Sequence, residues 1–221
     1  MVYSARLILF DLDGTLVDSV PDLAQAANCM LAAFGLPEVT EEQVRHRVGD
    51  GISKLVERLL GGAGRNAENW KQAEKLYREA YARHLTDSSH AYPGVPAMLE
   101  NLREKGLHLA CVTNKDTRLA RNLLAHLGLD RYLEWIIGGD QARPKPDPDM
   151  LEQAMRAFSV SPGQSLMVGD SMADVGAARA AGIPVVAVPW GYNHGRGIAA
   201  ENPNHVIQAM PELVSLIERV A

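Results

Sequence analysis

Cysteine is scarce in this chain of 221 residues: there are two, Cys29 and Cys111, far apart and without metal-ligand spacing. That scarcity suggests a reducing compartment, and Cys111, inside the apolar run 109–112, reads as a small core residue. Positive charge is not in excess either. Lys and Arg number 22 against 27 Asp and Glu, giving a net charge of −5 with no Lys/Arg run. Neither nucleic acid nor an anionic membrane is therefore expected as a partner. No apolar run approaches the ~20 residues that cross a bilayer. The first residues lack the apolar stretch and small-residue cleavage site of a signal peptide. The expectation is a soluble cytoplasmic protein, and its 47% hydrophobic content is enough for a large core without disulfide staples.

Short apolar runs alternate with helical periodicity. Strands are predicted at 7–10, 107–112, 135–137, 165–168, 185–188 and 205–207, and helices at 95–105, 117–127, 149–158, 172–181 and 211–220. This alternation implies an α/β fold with a parallel sheet covered on both faces. One interval departs from it. Between Val20 and Leu85 only amphipathic stripes occur: Val20, Leu23, Ala24, Ala27, Leu31 and Phe34; then Ile52, Leu55, Val56 and Leu59; then Trp70, Ala73, Leu76, Tyr77, Ala80 and Tyr81. The division expected is a core of residues 1–18 and 87–221 with a helical cap of residues 19–86, joined by linkers at 16–19 and 86–90 and hinged as a lid.

Four polar clusters follow the first four strands. Asp11-Leu12-Asp13-Gly14-Thr15 comes after the first and Thr113-Asn114-Lys115 after the second. Lys145, held between two prolines, comes after the third, and Gly169-Asp170-Ser171-Met172-Ala173-Asp174 after the fourth. If the first strand is central, the sheet order is 3-2-1-4-5-6, and the clusters meet at the carboxyl edge where the chain direction switches. Each cluster has an ordinary alternative as turn or helix-cap chemistry. Together they place several carboxylates in one crevice. Two such charges about 4 Å apart repel by roughly 4 kcal/mol at an effective dielectric near 20, and one lysine offsets one charge. A hard divalent cation with all-oxygen ligands resolves the remainder, and Mg²⁺ suits few carboxylates plus water and phosphate.

In order and kind these clusters resemble the four motifs of the haloacid dehalogenase superfamily of phosphohydrolases, and the interval 19–86 resembles that superfamily's cap inserted after the first motif. The resemblance implies a Rossmann-like core and a phosphomonoester hydrolase. It implies that Asp11 is the nucleophile forming an aspartyl-phosphate, and that Asp13 is the general acid and then base. Asp11, the carbonyl of Asp13 and Asp170 would hold Mg²⁺, with Asp174 beside them. Gly14, Thr113, Asn114 and Lys145 would bind the phosphoryl oxygens. Asp13 itself favours phosphate esters, since dehalogenases of the superfamily need no acid at that position.

Three further stretches resemble bacterial phosphoglycolate phosphatases: Ile137-Gly138-Gly139-Asp140, Trp190-Gly191-Tyr192-Asn193-His194-Gly195 and Asn202-Pro203-Asn204-His205-Val206-Ile207. In the cap, Arg47-Val48-Gly49-Asp50-Gly51 resembles that family's Gly-Asn-Gly specificity loop, with Asp50 in place of Asn. The resemblance implies 2-phosphoglycolate as substrate, with Arg47, Gly49, Asp50, Gly51 and Lys54 reading it and Arg47, Arg45 or Lys54 offsetting Asp50. A phosphatase for another small metabolite (a sugar phosphate or nucleotide), a β-phosphoglucomutase-like mutase and a silent phosphometabolite-binding protein remain alternatives. The partner expected is a small phosphorylated metabolite; oligomeric state is not legible.

Overall fold

The computed structural model describes residues 2–61 and 67–220; Met1, Ala221 and residues 62–66, included in the segment boundaries above, lie outside it. The strands are β1 (Tyr3–Ala5), β2 (Leu7–Phe10), β3 (Val17–Asp18), β4 (His90–Ala91), β5 (His108–Thr113), β6 (Trp135–Gly138), β7 (Ser165–Gly169), β8 (Val185–Ala187), β9 (His205–Val206) and β10 (Ile217–Arg219). The helices are α1 (Val20–Ala33), α2 (Glu41–Arg45), α3 (Ile52–Leu60), α4 (Ala67–His84), α5 (Val95–Glu104), α6 (Thr117–His126), α7 (Asp149–Phe158), α8 (Met172–Ala180) and α9 (Met210–Ser215).

Six strands form one parallel sheet in the order β6-β5-β2-β7-β8-β9. This is the 3-2-1-4-5-6 order expected if the first strand is central. All four residues of β2 are buried, because helices cover both faces of the sheet. Ile8 and Phe10 pack into one core with Leu99 and Leu102 of α5 and Leu123 of α6. Leu7 and Leu9 pack into the other with Leu151 and Met155 of α7 and Val175 of α8. The two-residue period of the strand thus divides its side chains between two hydrophobic layers. Parallel pairing on either side of β2 aligns Phe10 with Cys111 and with Val168. The polar residues that follow these strands therefore emerge side by side at one edge.

The C-terminal segment differs from expectation. The helix predicted at 211–220 ends at Ser215, and Ile217–Arg219 pairs in parallel with β1, Tyr3 opposite Ile217. The apolar spacing Leu213, Leu216, Ile217 satisfies a helix, but the open edge of β1 offers backbone hydrogen bonds, and tertiary pairing overrides a weak local preference.

Between β3 and β4 the described chain is helical. Leu23, Ala27 and Leu31 of α1 are buried with Ala73, Tyr77 and Tyr81 of α4, and the two helices pack together. In α3 the buried stripe is Ile52, Leu55, Val56 and Leu60, while Leu59 is only partly buried. The short α2 was not predicted, since five residues show no period. Thr40 starts it with a reciprocal capping box to Gln43.

The linkers at 16–19 and 86–90 are not independent strings. Val17 and Asp18 pair antiparallel with Ala91 and His90. Asp22, fully buried in α1, accepts bonds from Ser88 N (2.8 Å), Ser89 N (2.8 Å) and Ser89 Oγ (2.6 Å). Replacing it leaves two backbone donors without their acceptor. Asp22→Ala is expected to lower unfolding free energy by about 2–4 kcal/mol in urea denaturation, and a loss under about 0.5 kcal/mol would refute this anchoring role.

Candidate active site

The turn after β2 is built by one carbonyl. Leu12 O accepts from Thr15 N, Leu16 N and Val17 N. Gly14 takes φ +89°, and a Cβ there would lie 2.5 Å from Asp170 Oδ2. Glycine is required by both conformation and space. Its N–H donates to Val17 O at 2.9 Å, so it is committed inside the turn. Gly14 packs closely against Asp170. The result is that Asp11 and Asp13 leave the turn on the same side as the ends of β5 and β7.

Lys145 joins these ends. Its ammonium donates to Asp11 Oδ1 (2.7 Å), Asp174 Oδ1 (2.7 Å) and the Val112 carbonyl (2.8 Å), and the side chain is 2% exposed. Burial opposes its charge, but Asp11 and Asp174 outweigh that and hold its pKa above the usual lysine range. Asp174 belongs both to the capping box of α8, with Ser171 as N-cap, and to the carboxylate cluster. Its other oxygen accepts from Asp170 N, Ser171 N and Ser171 Oγ at the start of α8. Asp170 has no lysine; it accepts from Thr15 Oγ1 (2.7 Å) and Tyr192 N (2.6 Å).

One carboxylate oxygen each from Asp11, Asp170 and Asp174 lie within 4.8 Å of one another. Burial pushes the Asp11 carboxyl up to about 7, against the pull of Lys145. Burial, with Asp11 and Asp174 nearby, raises Asp170 well above the usual range. The cluster is therefore short of positive charge at neutral pH. Its donors are all oxygen, closely spaced and supported by surrounding hydrogen bonds, which is the donor chemistry of a hard divalent cation.

Asp13 has a separate environment. It accepts from Ser19 Oγ (2.6 Å) and receives both oxygens' bonds from Lys115 Nζ (2.7 and 2.7 Å). Sequence reasoning did not assign Lys115 a role. The available signal was topological: the residues after paired strands β2 and β5 emerge together, so residue 115 faces residue 13. Ser19, Thr15 and Tyr192 were likewise missed, since a hydroxyl or a backbone N–H carries no spacing signature.

Thr113 ends β5, and Asn114 follows it beside Asp11 and Asp13. Thr113 is buried and its Oγ1 accepts from Lys115 N at 3.2 Å. Asn114 acts as a clamp: its Oδ1 accepts from Lys145 N (2.8 Å), and its Nδ2 donates to Lys145 O (3.0 Å) and to Gly49 O of the helical segment (3.0 Å). The Ile137-Gly138-Gly139-Asp140 stretch supports the same turn. Asp140 Oδ1 accepts from Thr117 N at the start of α6, and Gly139 N donates to Lys115 O.

The helical segment closes the site. Asp11, Asp13, Thr113, Asn114 and Lys115 face a cavity of about 40 Å³ whose other wall includes Gly49, Gly51, Leu55 and Tyr81. That volume holds roughly three waters. Arg47, Asp50 and Lys54 are not among its lining residues. Arg47 donates to the Gln43 carbonyl, Lys54 pairs with Glu57 at 2.9 Å, and Arg45 pairs with Asp18 at 3.3 Å. Asp50 is bound by Arg58 and lies 3.5 Å from His194 Nε2. The expectation that Arg47, Arg45 or Lys54 offsets Asp50 is corrected: Arg58, in the last turn of α3, does so. No described helix is long and apolar enough to cross a membrane.

The family model for haloacid dehalogenase-like hydrolases matches residues 8–188. Phosphoglycolate phosphatase 1 of Pseudomonas aeruginosa PAO1 is 45% identical over 225 aligned residues, covering 98% of this chain and 81% of that protein. Phosphoglycolate phosphatase of Nitrosococcus oceani is 40% identical with both chains fully covered. Among solved structures, that of a predicted phosphoglycolate phosphatase from Haemophilus somnus 129PT superposes with a TM-score of 0.91 at 34% identity, covering 96% of this chain and 97% of that one. The chain therefore belongs to the haloacid dehalogenase-like hydrolase family. Within it, the chain is a phosphatase.

The buried carboxylates set a pH dependence. Asp11 binds its proton more tightly folded than unfolded, where its pKa is near 3.8. The folded state therefore carries the extra proton between these values, and stability falls as pH rises from about 4 through about 7. Cation-free protein is expected to lose on the order of 2–4 kcal/mol over that interval in urea titrations. Asp170→Asn is expected to flatten the curve, and a parent curve that is already flat would contradict the electrostatic description.

Proposed function

We propose that the protein hydrolyses a small phosphomonoester, 2-phosphoglycolate foremost, through a phosphoryl group carried on Asp11, with Mg²⁺ as cofactor. The observation that carries this reading is the separation of two carboxylates on one turn. Asp11 is tied to Lys145 and the acidic cluster, and Asp13 is tied to Ser19 and Lys115. Two carboxylates in unlike surroundings can take unlike roles. The relatives named phosphoglycolate phosphatase support this choice of substrate.

An oxygen of Asp11 attacks phosphorus while the bond from phosphorus to the ester oxygen breaks. Asp13 gives a proton to that departing oxygen. Water then attacks the phosphoryl group, Asp13 takes back a proton, and inorganic phosphate leaves with Asp11 restored as carboxylate. Lys145 and Thr113 hold phosphoryl oxygens, and Asn114 keeps the Lys145 backbone in place. Asp11, the carbonyl of Asp13 and Asp170 would hold Mg²⁺, with Asp174 supporting Asp170. The ion would neutralise charge on the phosphoryl oxygens and keep Asp11 ionised. Charge balance supports it: four carboxylates (Asp11, Asp13, Asp170, Asp174) face two lysines.

Asp11→Asn is expected to lower kcat on 2-phosphoglycolate by at least about 10³-fold with an unchanged circular dichroism spectrum; turnover near the parent level would remove Asp11 as nucleophile. Activity is expected to vanish with EDTA and return with Mg²⁺, and full activity in EDTA would reject the cation. In a panel of phosphorylated metabolites, 2-phosphoglycolate is expected to give the highest kcat/KM.

A further inference from the structure

The cap loop that resembles a specificity loop presents no cation to the cavity. Within the described residues of the helical segment, Arg45, Lys54 and Arg58 are paired with Asp18, Glu57 and Asp50, and Arg47 is bonded to a backbone carbonyl. An anionic leaving group nevertheless needs a partner when it is enclosed. Of the described residues lining the cavity, one is cationic: Lys115.

Lys115 is built for a fixed position. Its side chain is 3% exposed. Its backbone is held on both sides, N–H to Thr113 Oγ1 and carbonyl from Gly139 N. Two ammonium protons go to Asp13, and Nζ lies 4.8 Å from the ring centre of Tyr81. Tyr81 also lines the cavity, and its buried hydroxyl has no hydrogen-bond partner among the described residues. A buried hydroxyl without a partner is costly unless something that enters the cavity satisfies it. A cation and an unpartnered donor thus stand together beside the residue that serves the leaving-group oxygen.

We infer that Lys115, with Tyr81, is the specificity determinant that reads a carboxylate attached directly to the ester carbon, so that the site selects phosphorylated 2-hydroxy acids. This rests on the proposed role of Asp13. The ester oxygen must lie within hydrogen-bond reach of Asp13, and Lys115 is bonded to both oxygens of Asp13. A carboxylate two bonds from that oxygen meets the ammonium, whereas a charge farther along a sugar does not. The core strand edge, rather than the cap loop, then discriminates the substrate's acid group.

The test compares 2-phosphoglycolate with 2-hydroxyethyl phosphate, which replaces the carboxylate by a hydroxymethyl group. The parent enzyme is expected to prefer the acid, and Lys115→Gln is expected to reduce that kcat/KM ratio by roughly thirtyfold or more. Any general loss from disturbing Asp13 cancels in the ratio. A parent that does not prefer the acid overturns the substrate reading and this assignment with it. A parent preference that survives in Lys115→Gln overturns the assignment alone. Binding gives a second readout that does not depend on turnover or on one unpaired charge. In calorimetry, Asp13→Asn is expected to bind 2-phosphoglycolate at least about tenfold tighter than 2-hydroxyethyl phosphate, and Asp13→Asn/Lys115→Met to bind both alike. Equal discrimination by the two proteins overturns the assignment.

Discussion

The Lys145 ammonium, enclosed between Asp11, Asp174 and the Val112 carbonyl, is the contact on which the site depends. It ties the ends of three neighbouring strands to a loop that follows a fourth. Without it the carboxylates would face one another in a poorly solvated space, and a buried charge that loses its partner is strongly destabilising. The hydrogen bonds around it have a common purpose. Asn114 fixes the lysine's backbone, Ser171 and two backbone N–H groups fix Asp174, and Thr15 and Tyr192 fix Asp170. The chemistry is arranged in advance of any ligand, which is what electrostatic catalysis of phosphoryl transfer requires.

Much of this was legible in the sequence, and for physical reasons. Strands buried on both faces write themselves as continuous apolar runs, so 7–10 and 165–168 were visible, while their order rested on taking the first strand as central. Lys145 stood out because prolines on both sides restrict it. The stripes of α1 and α4 had a clear period, down to Tyr77 and Tyr81. What escaped had no one-dimensional signal. Lys115 meets Asp13 through the register that aligns Phe10 with Cys111, a relation between segments about a hundred residues apart. Tyr192 contributes to Asp170 through a backbone N–H that any residue possesses. At the C-terminus an apolar spacing suited to a helix was overruled by an available strand edge.

The cap loop shows the difference between resemblance and geometry. Gly49 and Gly51 line the cavity, both with positive φ of +128° and +85°, and the Gly49 carbonyl touches the amide that clamps Lys145. Asp50 between them is turned to Arg58 and His194. The loop contributes close backbone approach, while its charged residues hold it against its own helix and the 190–195 stretch. Tyr192 of that stretch also reaches the other end of the segment, donating its hydroxyl to Asp18 and accepting from Ser19 N.

The short ribbon of β3 and β4 has an evolutionary consequence. The chain departs from the sheet and comes back at adjacent points, so everything between is topologically a detour that neither strains nor reorders the six strands. Such an arrangement permits wholesale exchange or lengthening of the roof while the catalytic floor stays intact. Chemistry and substrate repertoire are thereby placed under separate selection, except where a floor residue such as Lys115 takes part in both.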